Sequence, residues 1–328
     1  MLRIVFIVDD AESAAASLRV LQHVDLFERD GIDLYPMLLP RPLRSRRKMF
    51  DDLASFDAAV LQRCLIQPWE FRMLRKRVRV LGCDLDEALL YADRGPCALF
   101  SPWRQVKFRT IVRGVDFITA GNSYLVSLCG KRENVYLVPT PIDTGKYAPA
   151  ADRAGGPIRI GCISYTSALR HLDEILPAVE KVAAARPGVM LTVVADRPPR
   201  QRPFIRFVPR REDSEAAEIA AFDVGIMPLP DNRRTRGECG FELLLYGACG
   251  LPSVASPVGA GKEIIVDGRT GLFASSGAEW EQALTRLIDN AGLRARLGQA
   301  ARTRVDSEYS TRVVIPKWAE VLKEMASR

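Results

Sequence analysis

A chain of 328 residues with 48% apolar and 27% charged residues is long enough for two domains of about 150 residues each and has the make-up of a soluble globular protein. No apolar run approaches the ~20 residues that span a bilayer. The apolar start "MLRIVFIVDD" halts at two aspartates with no cleavage site, so it reads as a buried strand rather than a signal peptide or membrane helix. The formal charge of +7 gathers in "RPLRSRRK" (41–48), "RMLRKRVR" (72–79) and "RPPRQRPFIRFVPRR" (197–211), stretches that suit phosphates, acidic lipid headgroups or nucleic acid and equally suit plain solvated faces.

In chain order, β-rich apolar runs alternate with helical patterns: "RIVFIV", "IDLYPML", "AAVLQRC", "RVLGC", "DFITAG" and "VYLVPT" before residue 140, with helices expected at 13–30, 44–54, 68–77 and 122–130. Such alternation predicts a parallel sheet with helices on both faces. The Pro/Gly/Ala-rich stretch 140–159 reads as a linker. A second series follows, with strands at 158–164, 189–196, 204–209, 224–230, 252–258 and 271–275. Its helices are expected at 167–185, 213–222, 240–249, 261–267, 278–289 and 291–308. The closing segment 311–328 is helical, started or kinked by Pro316. The fold class expected is α/β, with two Rossmann-like doubly wound domains facing a cleft, where such folds bind ligands.

Seven cysteines (64, 83, 97, 129, 162, 239 and 249) are odd in number and never fall in a CxxC or Cys/His cluster. That argues against a disulfide framework or a zinc site and fits a reducing cytoplasm. Two histidines, His23 and His171, leave little for a His-based metal site or a Ser/His/Asp triad. No zinc-finger or RRM pattern accompanies the basic segments, which makes nucleic acid the weaker partner.

Six stretches, "GNSYL" (121–125), "LVPTPIDTGKYAP" (137–149), "FDVGIMPLPDN" (222–232), "CGFELLLYGACGLPSVASPVG" (239–259), "IIVDGRTGLFA" (264–274) and "LRARLGQAARTRVDSEYS" (293–310), resemble the family 4 glycosyltransferases of GT-B fold. The resemblance implies an acceptor-side domain at 1–150, a nucleotide-sugar donor domain at 151–310, and a helix at 311–328 crossing back onto the first domain. It implies sugar transfer with retention and without a metal or other cofactor. The donor is then an activated, nucleotide-diphosphate sugar and the acceptor a saccharide or lipid-linked saccharide.

A diphosphate leaving group gains negative charge as its bond breaks, so backbone N–H groups at helix starts and nearby cations should hold it. Two stretches qualify. In "RRTRGECGF" these are Arg233, Arg234, Arg236, Gly237, Gly240 and Phe241; in "SPVGAGKEI" they are Gly259, Gly261 and Lys262. Tight strand-to-helix turns explain the same glycines. The two glutamates usual in the family fall on Gly237 and Leu245, and two lysines common in the nearest branch are replaced by Glu238 and Glu242. Four residues apart, these two share a face if both are helical; Glu242 then either takes over hydroxyl recognition or pairs, like Glu238, with the neighbouring arginines.

Ser164 and Tyr165 stand where a Gly-Ser turn is frequent, and Arg170 follows on the next helix. On the acceptor side the candidates are Asp9, Asp10, Ser13, Ser17 and Arg19 after the first strand, Asp84 and Asp86 in "CDLDEALLY", and Asn122. Capping explains Asp86 and Asn122 as well as a ligand does. No side chain emerges as a catalytic base. The basic N-terminal segments suit an anionic membrane surface, which places a cytoplasmic protein peripherally at the inner face of the membrane. Two other readings stay open: a catalytically silent subunit that binds or scaffolds, motivated by the missing glutamates and lysines, and transfer to an anionic polymer such as nucleic acid, motivated by charge alone.

Overall fold

The run Leu2–Val8 forms β1, and its side chains alternate between two apolar layers because successive strand residues point to opposite faces. Val5 and Ile7 enter one core cluster, Ile4 and Phe6 the other. The computed structural model describes residues 1–9, 18–92, 101–150, 156–164 and 169–328. It divides into two units. Unit 1 holds Met1–Pro141, Asn232–Cys239 and Arg312–Arg328; unit 2 holds Ile142–Asp231 and Gly240–Thr311.

In unit 1, β1 is joined by β2 (Ile32–Leu38), β3 (Ala58–Gln62), β4 (Val80–Leu85), β5 (Phe117–Ala120) and β6 (Val135–Leu137). All are parallel, in the order β2-β1-β3-β4-β5-β6. The helices are α1 (Val24–Arg29), α2 (Leu43–Asp52), α3 (Pro68–Arg75), α4 (Pro102–Gly114) and α5 (Ser123–Leu128). Phe50, Phe71, Phe108 and Leu125 of α2 to α5 cover the face of Val5 and Ile7. Phe27 of α1 covers the other face, together with α12 (Thr311–Ser327). There Trp318, fully buried, packs edge-on against Phe6 and Phe27 with ring centroids 5.8 and 5.5 Å away.

Unit 2 comprises β7 (Arg159–Ser164), α6 (Leu169–Ala185), β8 (Met190–Ala195), β9 (Ile205–Pro209), α7 (Glu215–Ala220), β10 (Val224–Met227), α8 (Phe241–Ala248), β11 (Ser253–Ala255), α9 (Gly261–Ile264), β12 (Gly271–Phe273), α10 (Gly277–Ile288) and α11 (Ala291–Glu308). Its parallel sheet runs β12-β11-β10-β7-β8-β9. Read from the other edge this is the Rossmann order 3-2-1-4-5-6, whereas unit 1 follows the flavodoxin-like order 2-1-3-4-5 with a sixth strand added. Each sheet therefore has one switch point, where the strand order reverses: between β1 and β3 in unit 1, and between β7 and β10 in unit 2. Ligands of open α/β sheets bind outside the carboxyl ends of the strands at such points.

The structure departs from the sequence expectation in places. α12 begins at Thr311, and Pro316 lies inside it. A proline there removes one backbone hydrogen bond, and burial of Val314, Ile315, Trp318 and Leu322 carries the helix through. β10 stops at Met227, because Pro228 and Pro230 offer no N–H for a ladder. Of the expected helix 13–30, residues 13–17 lie outside the described residues; the remainder holds a short 3-10 turn at Leu21–His23 followed by α1.

Candidate functional site

At the carboxyl edge of unit 1, Arg19 and Asp84 form a buried ion pair with side-chain exposures of 1% and 0%. Arg19 Nε donates to Asp84 Oδ2 at 2.7 Å and Nη2 to Oδ1 at 2.8 Å, a two-pronged contact. Nη2 also donates to the Val138 carbonyl at 2.9 Å, and Thr119 Oγ1 donates to Asp84 Oδ1 at 2.6 Å. The guanidinium carbon sits 4.8 Å from the Trp318 ring centroid. Burial works against the charge of Arg19, but Asp84 outweighs it and the pKa rises. Two of the acceptor candidates thus face each other inside the core, where their hydrogen bonds tie β4 and β5 to Val138 after β6 and the Trp318 ring of α12 packs against the guanidinium.

Asp86 pairs with Arg63 at 3.2 Å, and Arg63 also reaches Glu87 at 3.0 Å. Glu87 in turn accepts from Arg234 Nη2 at 2.9 Å. Arg63 has φ +57, the one non-glycine residue in the left-handed region among the described residues, and it lies directly after β3. Strain of this kind costs about 1–3 kcal/mol and gathers at functional sites. Asp9 is exposed at the end of β1 and adds to the field that raises the Arg63 pKa against burial, behind Asp86 and Glu87. Asp10, Ser13 and Ser17 lie outside the described residues.

Asn122 caps α5 by accepting from the Leu125 N–H at 2.8 Å. Its Nδ2 donates to the carbonyls of Glu238 (2.9 Å) and Arg236 (3.3 Å). This anchors Asn232–Cys239 in unit 1, helped by the Cys239 thiol on the Asp86 carbonyl at 3.0 Å and the Arg234–Glu87 pair. Arg234, Arg236, Gly237 and Glu238, named as donor contacts, therefore share a unit with the acceptor candidates. A Cβ at Gly237 would meet the Ala88 Cβ and backbone nitrogen at 2.6 Å, so the position has no room for a glutamate.

Glu238 and Glu242 do not share a helix face. Glu238 is extended after a 3-10 turn, and Gly240 at φ +65 separates it from α8. Among the described residues the carboxylate of Glu242 has no arginine partner; it lies half-buried at the start of α8, and desolvation raises its pKa although its own backbone N–H opposes the shift. Leu245 is fully buried.

In unit 2, Tyr246 of α8 shapes the switch point. The β7–β10 ladder contains the pairs Val224↔Ile160 and Gly225↔Gly161. In a parallel ladder the next rung would join the Ile163 N–H to the Ile226 carbonyl. The Tyr246 hydroxyl stands in that rung instead, accepting from Ile163 N at 2.9 Å and donating to Ile226 O at 3.1 Å. Its ring occupies the space of a missing side chain at Gly225, where a Cβ would meet ring atoms at 2.3 Å. The two strands are thereby held apart at their carboxyl ends. Sequence reading passed over Tyr246; nothing beside it in the chain marks it, and only the Gly225–Tyr246 fit across two elements does.

Beyond the opened rung, Ser164 ends β7 with its hydroxyl buried and without a partner among the described residues. Tyr165 lies outside the described residues, and Arg170 is exposed on α6 with Nε 3.4 Å from His171 Nε2. After β11, Ser256 Oγ accepts from Leu229 N at 3.0 Å and closes the loop after β10 onto the loop after β11. Gly259 at φ +53 turns the chain into α9, where Lys262 is exposed and Gly261 donates to the Val258 carbonyl. Gly240 and Phe241 start α8 close by, since a Cβ at Gly240 would meet Ile264 at 2.9 Å and Ala260 at 3.6 Å. Ser164, Gly240, Phe241, Glu242, Gly259, Gly261 and Lys262 thus belong to the carboxyl edge of one sheet.

Comparison with known proteins places this architecture. Residues 158–290 match the family described as Glycosyl transferases group 1. The GDP-mannose-dependent monoacylated alpha-(1-6)-phosphatidylinositol monomannoside mannosyltransferase of Corynebacterium glutamicum is 25% identical over 257 residues, 68% of this chain and 66% of that protein. The D-inositol 3-phosphate glycosyltransferase of Pseudarthrobacter chlorophenolicus is 35% identical over 94 residues, 28% of this chain and 21% of that enzyme. The matched parts thus span just under two thirds of the first relative and about a fifth of the second. Among solved structures, sucrose-phosphate synthase from Thermosynechococcus elongatus superposes with a TM-score of 0.77 at 14% identity over 100% of both chains. HepE of Anabaena, in complex with UDP and glucose, gives 0.74 at 16% over 99% of this chain and 100% of that one. The fold is that of the GT-B glycosyltransferases. Residues 158–290 thus correspond to a glycosyl transferases group 1 domain.

Proposed function

We propose that this chain transfers a sugar from a nucleotide-diphosphate donor to a saccharide or lipid-linked acceptor, with retention at the anomeric carbon and without a metal. The observation that carries the reading is the switch point of unit 2, where Tyr246 opens the rung between β7 and β10 and the buried Ser164 hydroxyl stands without a partner. A diphosphate at this edge would meet that hydroxyl, the Gly259–Lys262 turn and the amino end of α8, groups that stabilise charge growing on a leaving group. Support comes from the relative that uses GDP-mannose and from HepE, whose structures hold UDP and UDP-glucose.

The test is a thermal-shift panel with UDP, GDP, ADP, dTDP and CMP. A ligand at about a hundred times its dissociation constant stabilises by roughly 2.7 kcal/mol, so one nucleotide should raise the melting temperature selectively. No shift with any of them would refute the donor assignment. A second reading, a catalytically silent subunit, is favoured by Gly237 and Leu245: one has no room for a glutamate and the other is buried in the core. Under that reading a nucleotide binds and no sugar is transferred or released.

We further propose that unit 1 docks on an anionic membrane surface. Leu43, Trp69 and Trp103 are exposed at the first or second residue of α2, α3 and α4, all at the carboxyl edge of the sheet. Arg41, Arg44, Arg47, Lys48, Arg72 and Lys76 are exposed beside them in sequence. Apolar rings that insert and cations that meet headgroups are the two parts of interfacial binding. Among the described residues no helix is long and apolar enough to cross a membrane, so contact would be peripheral.

A further inference from the structure

The last residue of β3 carries a side chain that the surrounding protein leaves unsatisfied. Gln62 is fully buried, and among the described residues neither its Oε1 nor its Nε2 meets a hydrogen-bond partner. An unpaired buried amide costs folding free energy, and such a group persists where function requires it. Register fixes its neighbours. Val8, Gln62, Asp84 and Thr119 lie opposite one another on β1, β3, β4 and β5, so they share one face of the sheet at its carboxyl edge.

The oxygens of Asp84 are taken by Arg19 and Thr119. Asp86, two residues further along, accepts from Arg63 at Oδ2, while its Oδ1 is buried without a partner among the described residues. Asp86 also adds to the field that holds the charge of Arg19, behind Asp84. Arg63 is held in its left-handed conformation beside Asp86 and Glu87, directly after Gln62. A strained residue and two buried polar groups therefore lie at the carboxyl ends of the neighbouring strands β3 and β4, beside the switch point between β1 and β3.

The unsatisfied set is one amide N–H donor group, one amide oxygen and one carboxylate oxygen. Two adjacent hydroxyls match it, because each hydroxyl can donate once and accept once. A phosphate matches poorly, since two of the three atoms are acceptors and one is negatively charged. We infer that Gln62 and Asp86 bind a vicinal diol of a polyol ring, and so select the acceptor of the transfer reading on which this inference rests. Arg63 positions Asp86 by holding its other oxygen.

The test uses the full chain and its Gln62→Met variant, which keeps the volume and removes the polar atoms. Methyl α-D-mannopyranoside and myo-inositol are the probes, followed by ligand-detected NMR, with tetraethylene glycol as a control lacking adjacent hydroxyls. The wild type is expected to bind at least one ring probe and to ignore the control. Gln62→Met should weaken that binding about tenfold or more while melting at or above the wild-type temperature, because removing an unpaired buried polar group is neutral or stabilising. Unchanged affinity in Gln62→Met, a wild type that binds neither ring probe, or a variant that melts lower would each overturn the inference. The nucleotide panel on the same samples reports donor binding separately, so failure there leaves the polyol result readable.

Discussion

Replacing Tyr246 by Phe removes one oxygen and tests whether the opened rung depends on it. The ring stays packed against Gly225, but the hydroxyl that accepts from Ile163 N and donates to Ile226 O is lost. The two backbone groups, held 2.9 and 3.1 Å from the missing oxygen, cannot reach each other while the ring keeps the strands apart. Each buried group left unpaired costs about 1–3 kcal/mol, and partial closure of the strands recovers a fraction, so a loss of about 2–4 kcal/mol is expected. For a unit of this size about 1 kcal/mol corresponds to roughly 2–4 °C, which gives a fall of about 5–15 °C in the unfolding of unit 2. Calorimetry measures the fall, and hydrogen exchange at the Ile163 amide locates it. A melting temperature within about 1 °C of the wild type, with that amide still protected, would refute the reasoning.

Glu242 gives a pH signature. Desolvation raises its pKa in the folded protein, so the folded state binds a proton before the unfolded chain does as pH falls. Stability from this group is therefore gained as pH drops through the raised value and lost as pH rises through it. Glu242→Gln should be the more stable protein at neutral pH in urea unfolding, with the gap closing towards about pH 4.5; a wild type more stable at neutral pH would contradict this. On membranes, the chain should sediment with phosphatidylglycerol vesicles and not with phosphatidylcholine vesicles, and lose binding at high salt. A Trp69→Ala/Trp103→Ala double variant should bind several-fold more weakly, and equal binding would remove the docking surface.

Much of the fold was legible because it rests on local pattern. The apolar runs of β1, β3, β4, β8 and β10 mark strands without any knowledge of their neighbours. The glycines at 240, 250, 259 and 268 mark turns because each takes a positive φ. Gly240, Gly259 and Gly261 were legible as turn and helix-start positions for the same reason, since turns are written in a few adjacent residues.

What depended on pairing across the chain was not legible. Arg19 and Asp84 look like free polar residues in sequence, and a separation of 65 positions hides that each saturates the other. Glu238 and Glu242 look like one helical face until Gly240 turns the chain between them. The stretch Asn232–Cys239 reads as the approach to α8, yet Asn122, Asp86 and Glu87 hold it in unit 1.

The sequence by itself determined two alternating α/β series and the turns that place a glycosyltransferase group 1 domain in the second. Tertiary structure alone decided the state of the polar groups: which are consumed in the core, as Arg19, Asp84 and Asn122 are, and which are left over, as Gln62, Asp86 Oδ1 and Ser164 are. The physical reason is that periodicity and turn chemistry act over a few residues, whereas whether a buried polar atom finds a partner is settled by strand register and by segments distant in the chain.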